Sequence, residues 1–150
     1  MPARPVEILL IEDNEADAYL TLTAMRDVRV KIHTHVVRDG EAALQFLRRE
    51  GEHAGAPRPD MVLLDLNLPK KVGHSVLAAM KSDRDLRSIP VVVISGSNSE
   101  NDLRRAYDGQ VAGYIVKPAN PDDYFRAIRS LKELWCKVLE LPPRAEGAAP

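Results

Sequence analysis

The chain has 150 residues, with 21 Lys and Arg against 22 Asp and Glu and a formal net charge of −1. That length suits one domain whose core needs neither disulfides nor metals, and the balanced charge leaves no footprint for nucleic acid or a membrane surface. Cys136 is the single cysteine, which excludes a disulfide framework and fits a reducing compartment; with no apolar signal core at the start and no run near the ~18 residues of a membrane span, a cytoplasmic protein is expected.

Taken in chain order, strands and helices alternate. Ile8–Ile11 is an apolar run closed by Glu12-Asp13. Asn14 is a fitting N-cap for a helix from about Glu15 to Asp27. Val30, Ile32, Thr34 and Val36 alternate with Lys31, His33 and His35, the period of a less buried strand. Asp39-Gly40 caps a helix with Ala43, Phe46 and Leu47 on one face, and Gly51 to Pro59 reads as loop. Met61–Leu64 is the third strand, closed by Asp65, and Gly73 to about Ser82 carries Val76, Leu77 and Met80 at helical spacing. Pro90–Ile94 is the fourth strand. Ser99-x-x-Asp102 opens a helix with Leu103, Ala106 and Tyr107. Ala112–Val116 is the fifth strand, closed by Lys117-Pro118. Asn120-Pro121-Asp122-Asp123 then combines an N-cap, a proline at the first helical position and acids in the first turn. The last helix is expected to reach about Leu139 and to stop at Pro142-Pro143, leaving a loose tail over 142–150 after one domain over 1–141.

Five strands alternating with five helices imply an α/β fold with a doubly wound five-stranded parallel sheet. Strands buried on both faces read as continuous apolar runs, and such sheets bind ligands at the carboxyl ends of their strands. Glu12, Asp13, Asp65 and Lys117 would therefore converge on one crevice. Gathering three carboxylates costs energy unless a cation compensates. Mg2+ meets that need, because it takes oxygen ligands from one or two carboxylates and from substrate phosphate. Lys117 is a point charge suited to a phosphate oxygen, and Ser95 brings a hydroxyl to the same edge. A carboxylate can act as nucleophile and form an aspartyl phosphate. Asp65 is the candidate, since it stands alone at its strand end.

These motifs, Ile11-Glu12-Asp13-Asn14, Leu63-Leu64-Asp65-Leu66-Asn67-Leu68-Pro69, Ile94-Ser95-Gly96-Ser97 and Tyr114-Ile115-Val116-Lys117-Pro118, resemble the receiver domain of two-component response regulators over roughly residues 6–135. The resemblance implies a flavodoxin-like fold with strand order 2-1-3-4-5. It makes Asp65 the phosphoacceptor and Glu12 and Asp13 the acidic pair for Mg2+. Asn67 would supply a backbone carbonyl to the metal, Ser95 the switch hydroxyl, and Lys117 the bridge to the phosphoryl group. Tyr114 matches an aromatic that changes rotamer on phosphorylation, and the Lys117-Pro118 bond is expected to be cis. Leu68-Pro69-Lys70-Lys71-x-Gly73 and the late Trp135 look like single-domain regulators paired with bacterial and cyanobacterial phytochrome kinases. The implied partners are a histidine kinase of phytochrome type and an unknown downstream protein. No output domain is expected after residue 139, and neither nucleic acid nor membrane is expected as a partner.

Three other readings remain. An aspartate-nucleophile phosphatase generally wants an acid two residues after the nucleophile, where Asn67 stands. A nucleotide- or flavin-binding module wants a glycine-rich loop after the first strand, where Glu12-Asp13-Asn14 stands. A degenerate receiver used only for interaction would not need the full residue set. In the last helix Tyr124, Ile128, Leu131, Trp135 and Val138 make one packing stripe, with Leu134, Leu139 and Leu141 outside it. That second apolar face suggests an isologous homodimer to which Trp135 and Leu141 contribute, as the resembled phytochrome-linked regulators often dimerise through this end. Cys136 is expected to be a small buried residue. His33, His35, His53 and His74 make no metal spacing with a cysteine. His33 and His35 share a strand face, a weak zinc signal by themselves.

Overall fold

A computed structural model describes residues 4–66, 68 and 73–137, with Cys136 and Lys137 as backbone only. Asn67, Val138, Leu139 and Leu141, the side chain of Cys136 and the 142–150 tail lie outside the described residues. The elements alternate as β1 (Val6–Ile11), α1 (Glu15–Ala24), β2 (Ile32–Val37), α2 (Gly40–Arg48), a 3-10 turn over Gly51–His53, β3 (Met61–Leu64), α3 (Gly73–Ser82), β4 (Val91–Ser95), α4 (Glu100–Asp108), β5 (Gly113–Val116) and α5 (Pro121–Lys137). All neighbouring strands are parallel, in the order β2-β1-β3-β4-β5.

The alternation of side chains along each strand explains the two layers. Leu9, Ile11, Val62, Leu64, Val91 and Val93 point to one face, where they meet Phe46 and Leu47 of α2, Val76, Leu77 and Met80 of α3 and Ala106 of α4. Ile8, Leu10, Met61, Leu63, Val92 and Ile94 point to the other, against Ala18 and Ala24 of α1 and Tyr124 and Ile128 of α5. The inner strands β1, β3 and β4 are covered on both faces, so their sequences are almost uninterrupted apolar runs. The outer strand β2 is half-buried except at Val37, in keeping with its alternating sequence.

The helix starts form as their caps require. Asn14 accepts from the Asp17 N–H at 2.9 Å, Asp39 from Ala42 at 2.8 Å and Ser99 from Asp102 at 3.1 Å. The first helix, expected to reach Asp27, ends at Ala24, and β2 begins at Ile32 rather than Val30. Asp27 explains both differences. Its carboxylate accepts from the backbone N–H groups of Arg29 (2.7 Å) and Val30 (3.2 Å), closing a local turn that competes with helix and strand. The same carboxylate is tied to Lys132 of α5 at 2.9 Å.

The Lys117-Pro118 bond is trans, so the expected cis bond is not found; no described peptide bond is cis. Trans is the ordinary preference of an X-Pro amide by about 0.5–1 kcal/mol. In this geometry the Lys117 N–H already reaches the Ser95 carbonyl at 2.7 Å, and its ammonium reaches the acidic pocket.

On α5, Tyr124 and Ile128 are buried and Leu131 and Trp135 pack against the same cluster. Lys132 is buried too, at 2 % exposure, which the apolar stripe did not foretell. Leu134 is exposed.

Candidate functional site

Register places the site. Ile11 pairs with Leu64, so the next residues, Glu12 and Asp65, leave adjacent strands at the same level. The Asp65 N–H is held by the Ile11 carbonyl at 3.1 Å. Ser95 pairs with Val116, which brings Lys117 to the same edge from the far side. The start of α3 closes over Asp65. Gly73 donates to the Leu66 carbonyl at 2.8 Å, and a Cβ there would come within 2.7 Å of the Asp65 carbonyl oxygen. Only glycine lets α3 begin this close to the strand end.

Three carboxylates surround one ammonium. Lys117 Nζ lies 2.8 Å from Glu12 Oε1, 2.9 Å from Asp17 Oδ2 and 3.1 Å from Asp65 Oδ2. Its three donors thus have three anionic partners. Glu12 and Asp65 are buried, at 2 % and 6 % exposure, and Ser95 is fully buried, whereas Asp13 is exposed. One carboxylate oxygen each from Glu12, Asp13 and Asp65 fall within 4.8 Å of one another.

The electrostatics show how far one lysine falls short. Burial, then contact with Asp65, pushes the Glu12 carboxyl up to about 7, against the lowering effect of Lys117. Burial by itself would lower the Lys117 ammonium. Its hydrogen bonds to Glu12 and Asp17 and the charges of Asp65 and Glu12 outweigh that, so it is held above its ordinary value. A buried Glu12 carboxyl pushed up this far marks excess negative charge. An all-oxygen donor set with such an excess fits a hard divalent cation.

The opposite wall couples α3, α4 and β5. Tyr114 donates its hydroxyl to the Ser97 carbonyl at 2.9 Å and packs half-buried against the core. Ser97 N–H is 3.2 Å from Ser95 Oγ, and Ser97 Oγ donates to Asp102 Oδ2 at 2.6 Å. Asp102 also meets His74 Nε2 at 3.2 Å. The Ser97 and His74 contacts hold the Asp102 carboxyl below its ordinary value.

Of the residues expected from sequence, Glu12, Asp13, Asp65, Ser95 and Lys117 meet at one strand edge, with Tyr114 beside Ser97. Asn67 and Leu141 lie outside the described residues, and Trp135 lies on α5, away from this cluster of contacts. Sequence reasoning missed Asp17 and the His74–Asp102 pair. Asp17 carried a signal, since it sits three residues after the N-cap Asn14 in the first turn of a helix that follows the acidic pair. His74 and Asp102 are 28 residues apart on different helices, and nothing local links them.

Comparison with known proteins agrees with this geometry. A model of the response regulator receiver domain family matches residues 8–129. The chain is 40 % identical over 138 residues to response regulator Rcp1 of Synechocystis sp., covering 92 % of this chain and 94 % of that protein. It resembles a solved structure of the phosphorylated cyanobacterial phytochrome response regulator RcpA with a TM-score of 0.90 and 46 % identity, over 93 % of this chain and all of that one. It resembles the Mn(2+)-bound form of Rcp1 with a TM-score of 0.89 and 40 % identity, again over 93 % of this chain and all of that one. On the extent of the matched family and the likeness of sequence and fold, the chain belongs to the response regulator receiver domain family.

Proposed function

We propose that this chain accepts a phosphoryl group from a histidine kinase on Asp65 and signals through the surface that reads the result. The observation that carries the reading is the Lys117 ammonium held at once by Glu12, Asp17 and Asp65 at the carboxyl edge of the sheet. An Asp65 carboxylate oxygen attacks phosphorus, the bond from phosphorus to the kinase imidazole nitrogen breaks, and its electron pair stays on that nitrogen. The product is an acyl phosphate on Asp65. Mg2+ bound by Glu12, Asp13, Asp65 and the Asn67 carbonyl would offset the charge on the transferring oxygens.

The chain's own residues do the rest. Lys117 supplies a fixed positive charge for a phosphoryl oxygen, and the Ser95 hydroxyl can donate to another. Moving Ser95 toward the phosphoryl group pulls on its contact with the Ser97 N–H, and Tyr114 is tied to the Ser97 carbonyl. Phosphorylation thus biases the α4–β5–α5 surface between two arrangements. We assign to the same residues the transfer from small phosphodonors and the return of phosphate to water.

Similarity to phytochrome response regulators supports a phytochrome-type kinase as donor and a cytoplasmic setting. No helix among the described residues is long and apolar enough to cross a membrane. We also propose a homodimer through the end of α5. Leu134 is exposed there beside Trp135, and Leu141 follows; light scattering at micromolar concentration should give twice the monomer mass.

Acetyl phosphate with Mg2+ tests the central reading. Labelling should appear with the wild type, vanish in Asp65→Asn and be blocked by EDTA. Labelling that survives in Asp65→Asn refutes the assignment.

A further inference from the structure

The opposite end of β1 carries a cluster that phosphoryl transfer does not use. Glu7 pairs in register with His33 and Leu9 with His35, so these side chains share the face that α2 covers. Glu7 is buried, and its carboxylate divides between two imidazoles, with Oε2 3.0 Å from His33 Nδ1 and Oε1 2.8 Å from His35 Nε2. One ligand atom from each residue falls within 4.8 Å of the other two.

The supports are already built. The Glu7 N–H donates to Asp60 Oδ2 at 2.8 Å, and the Asp60 N–H returns to the Glu7 carbonyl at 2.7 Å. The Arg4 guanidinium is spent on Asp60, which it grips at 2.7 and 2.8 Å. The His35 ring lies 5.3 Å from that of Phe46. Backbone and rings are therefore placed before any ligand arrives, and the side chains of His33 and His35 remain 41 % and 33 % exposed, which leaves an entry path.

We propose that Glu7, His33 and His35 form a second cation site, selective for a divalent ion of the zinc class. Two imidazole nitrogens and one carboxylate make a borderline donor set with an open fourth position. Ligand atoms about 2.0–2.1 Å from a tetrahedral ion stand roughly 3.4 Å apart, so the present hydrogen bonds need to open by only about half an ångström. The ion would take the place of the hydrogen between each of these nitrogens and Glu7, and each metal-bound neutral ring would carry its single proton on its other nitrogen. The hard oxygen cluster at Glu12 and the imidazole cluster at Glu7 are five residues apart on one strand, about 16 Å at ~3.3 Å per residue. Donor chemistry separates them: the first suits Mg2+, the second Zn2+. An ion here would staple the outer strand β2 to β1.

The test uses the full chain with saturating Mg2+, so that the acidic pocket is filled. Titration with ZnCl2 followed by calorimetry should give one site with Kd below about 10 µM. The melting temperature should rise with Zn2+ at concentrations where added Mg2+ has no further effect. Glu7→Gln keeps the hydrogen-bonding shape but loses the anion, and it should weaken Zn2+ at least tenfold, as should a His33→Gln/His35→Gln double variant. Should either variant fail to fold, imidazole NMR of the wild type decides. One equivalent of Zn2+ should move the ring signals of His33 and His35 and leave those of His53 and His74 in place. Zinc binding weaker than about 100 µM, unchanged affinity in folded variants, or shifts confined to the other histidines would overturn the proposal.

Discussion

Lys117 lies closer to Glu12 than to Asp65: its Nζ is 2.8 Å from Glu12 Oε1 and 3.1 Å from Asp65 Oδ2. The ammonium is thus shared before any phosphoryl group is present, and Asp17 at 2.9 Å takes the remaining donor. A phosphoryl group on Asp65 brings new anionic oxygens, so Lys117 has to give up part of this grip.

Replacing that residue separates charge balance from chemistry. In Lys117→Met, Glu12, Asp17 and Asp65 lose the ammonium they share. Mg2+ should bind about tenfold tighter, because a positive charge a few ångströms away no longer opposes it. Labelling by acetyl phosphate should still fall about 100-fold, the usual loss for a fixed donor at a developing anion. Calorimetry and phosphate incorporation measure the two effects on one sample.

Glu12 predicts a pH dependence. Burial raises its carboxyl to about 7 from an ordinary value of 4.5. Between those values the folded state holds a proton that the unfolded chain releases, so metal-free stability should fall as pH rises from 5 to 8. Mg2+ competes with that proton, and its affinity should be about tenfold weaker at pH 6 than at pH 8, with protons released on binding. Thermal melts and calorimetry in two buffers check both signs.

Asp102 joins Ser97 to His74, and so joins the loop after β4 to the start of α3. Asp102→Asn should cost about 1–2 kcal/mol, since hydrogen bonds to a charged group are the stronger kind. His74→Gln should cost less in the Asp102→Asn background than in the wild type. A denaturant-melt double-mutant cycle reads the difference.

Lys132 and Asp27 are the buried ion pair of α5, at 2.9 Å with side chains 1 % and 2 % exposed. Lys132→Met leaves the Asp27 carboxylate with Arg29 alone on the solvent side. Removing one partner of a buried pair typically costs a few kcal/mol, and about 2 kcal/mol is expected while Arg29 remains. Urea denaturation should show it, with phosphorylation unchanged, because the pair lies at the far end of α1 from Asn14.

Local pattern alone determined the alternation of elements, the buried strands and the charged groups that close β1, β3 and β5. Continuous apolar runs such as Met61–Leu64 follow from burial on both faces, and Asp65, Glu12 and Lys117 stand where those runs stop. Caps at Asn14, Asp39 and Ser99 were equally legible, since a cap needs only its own first turn. What required the tertiary structure were contacts between residues far apart in the chain. Asp17 and Lys117 are 100 residues apart, Asp27 and Lys132 are 105, and His33 and Glu7 are 26. The ends of α1 and β2 shifted for the same reason, because Asp27 forms a local turn and is held by α5. Periodicity reports which face of an element is buried. Which charge meets which across that face depends on strand order and register, and those exist only once the sheet has formed.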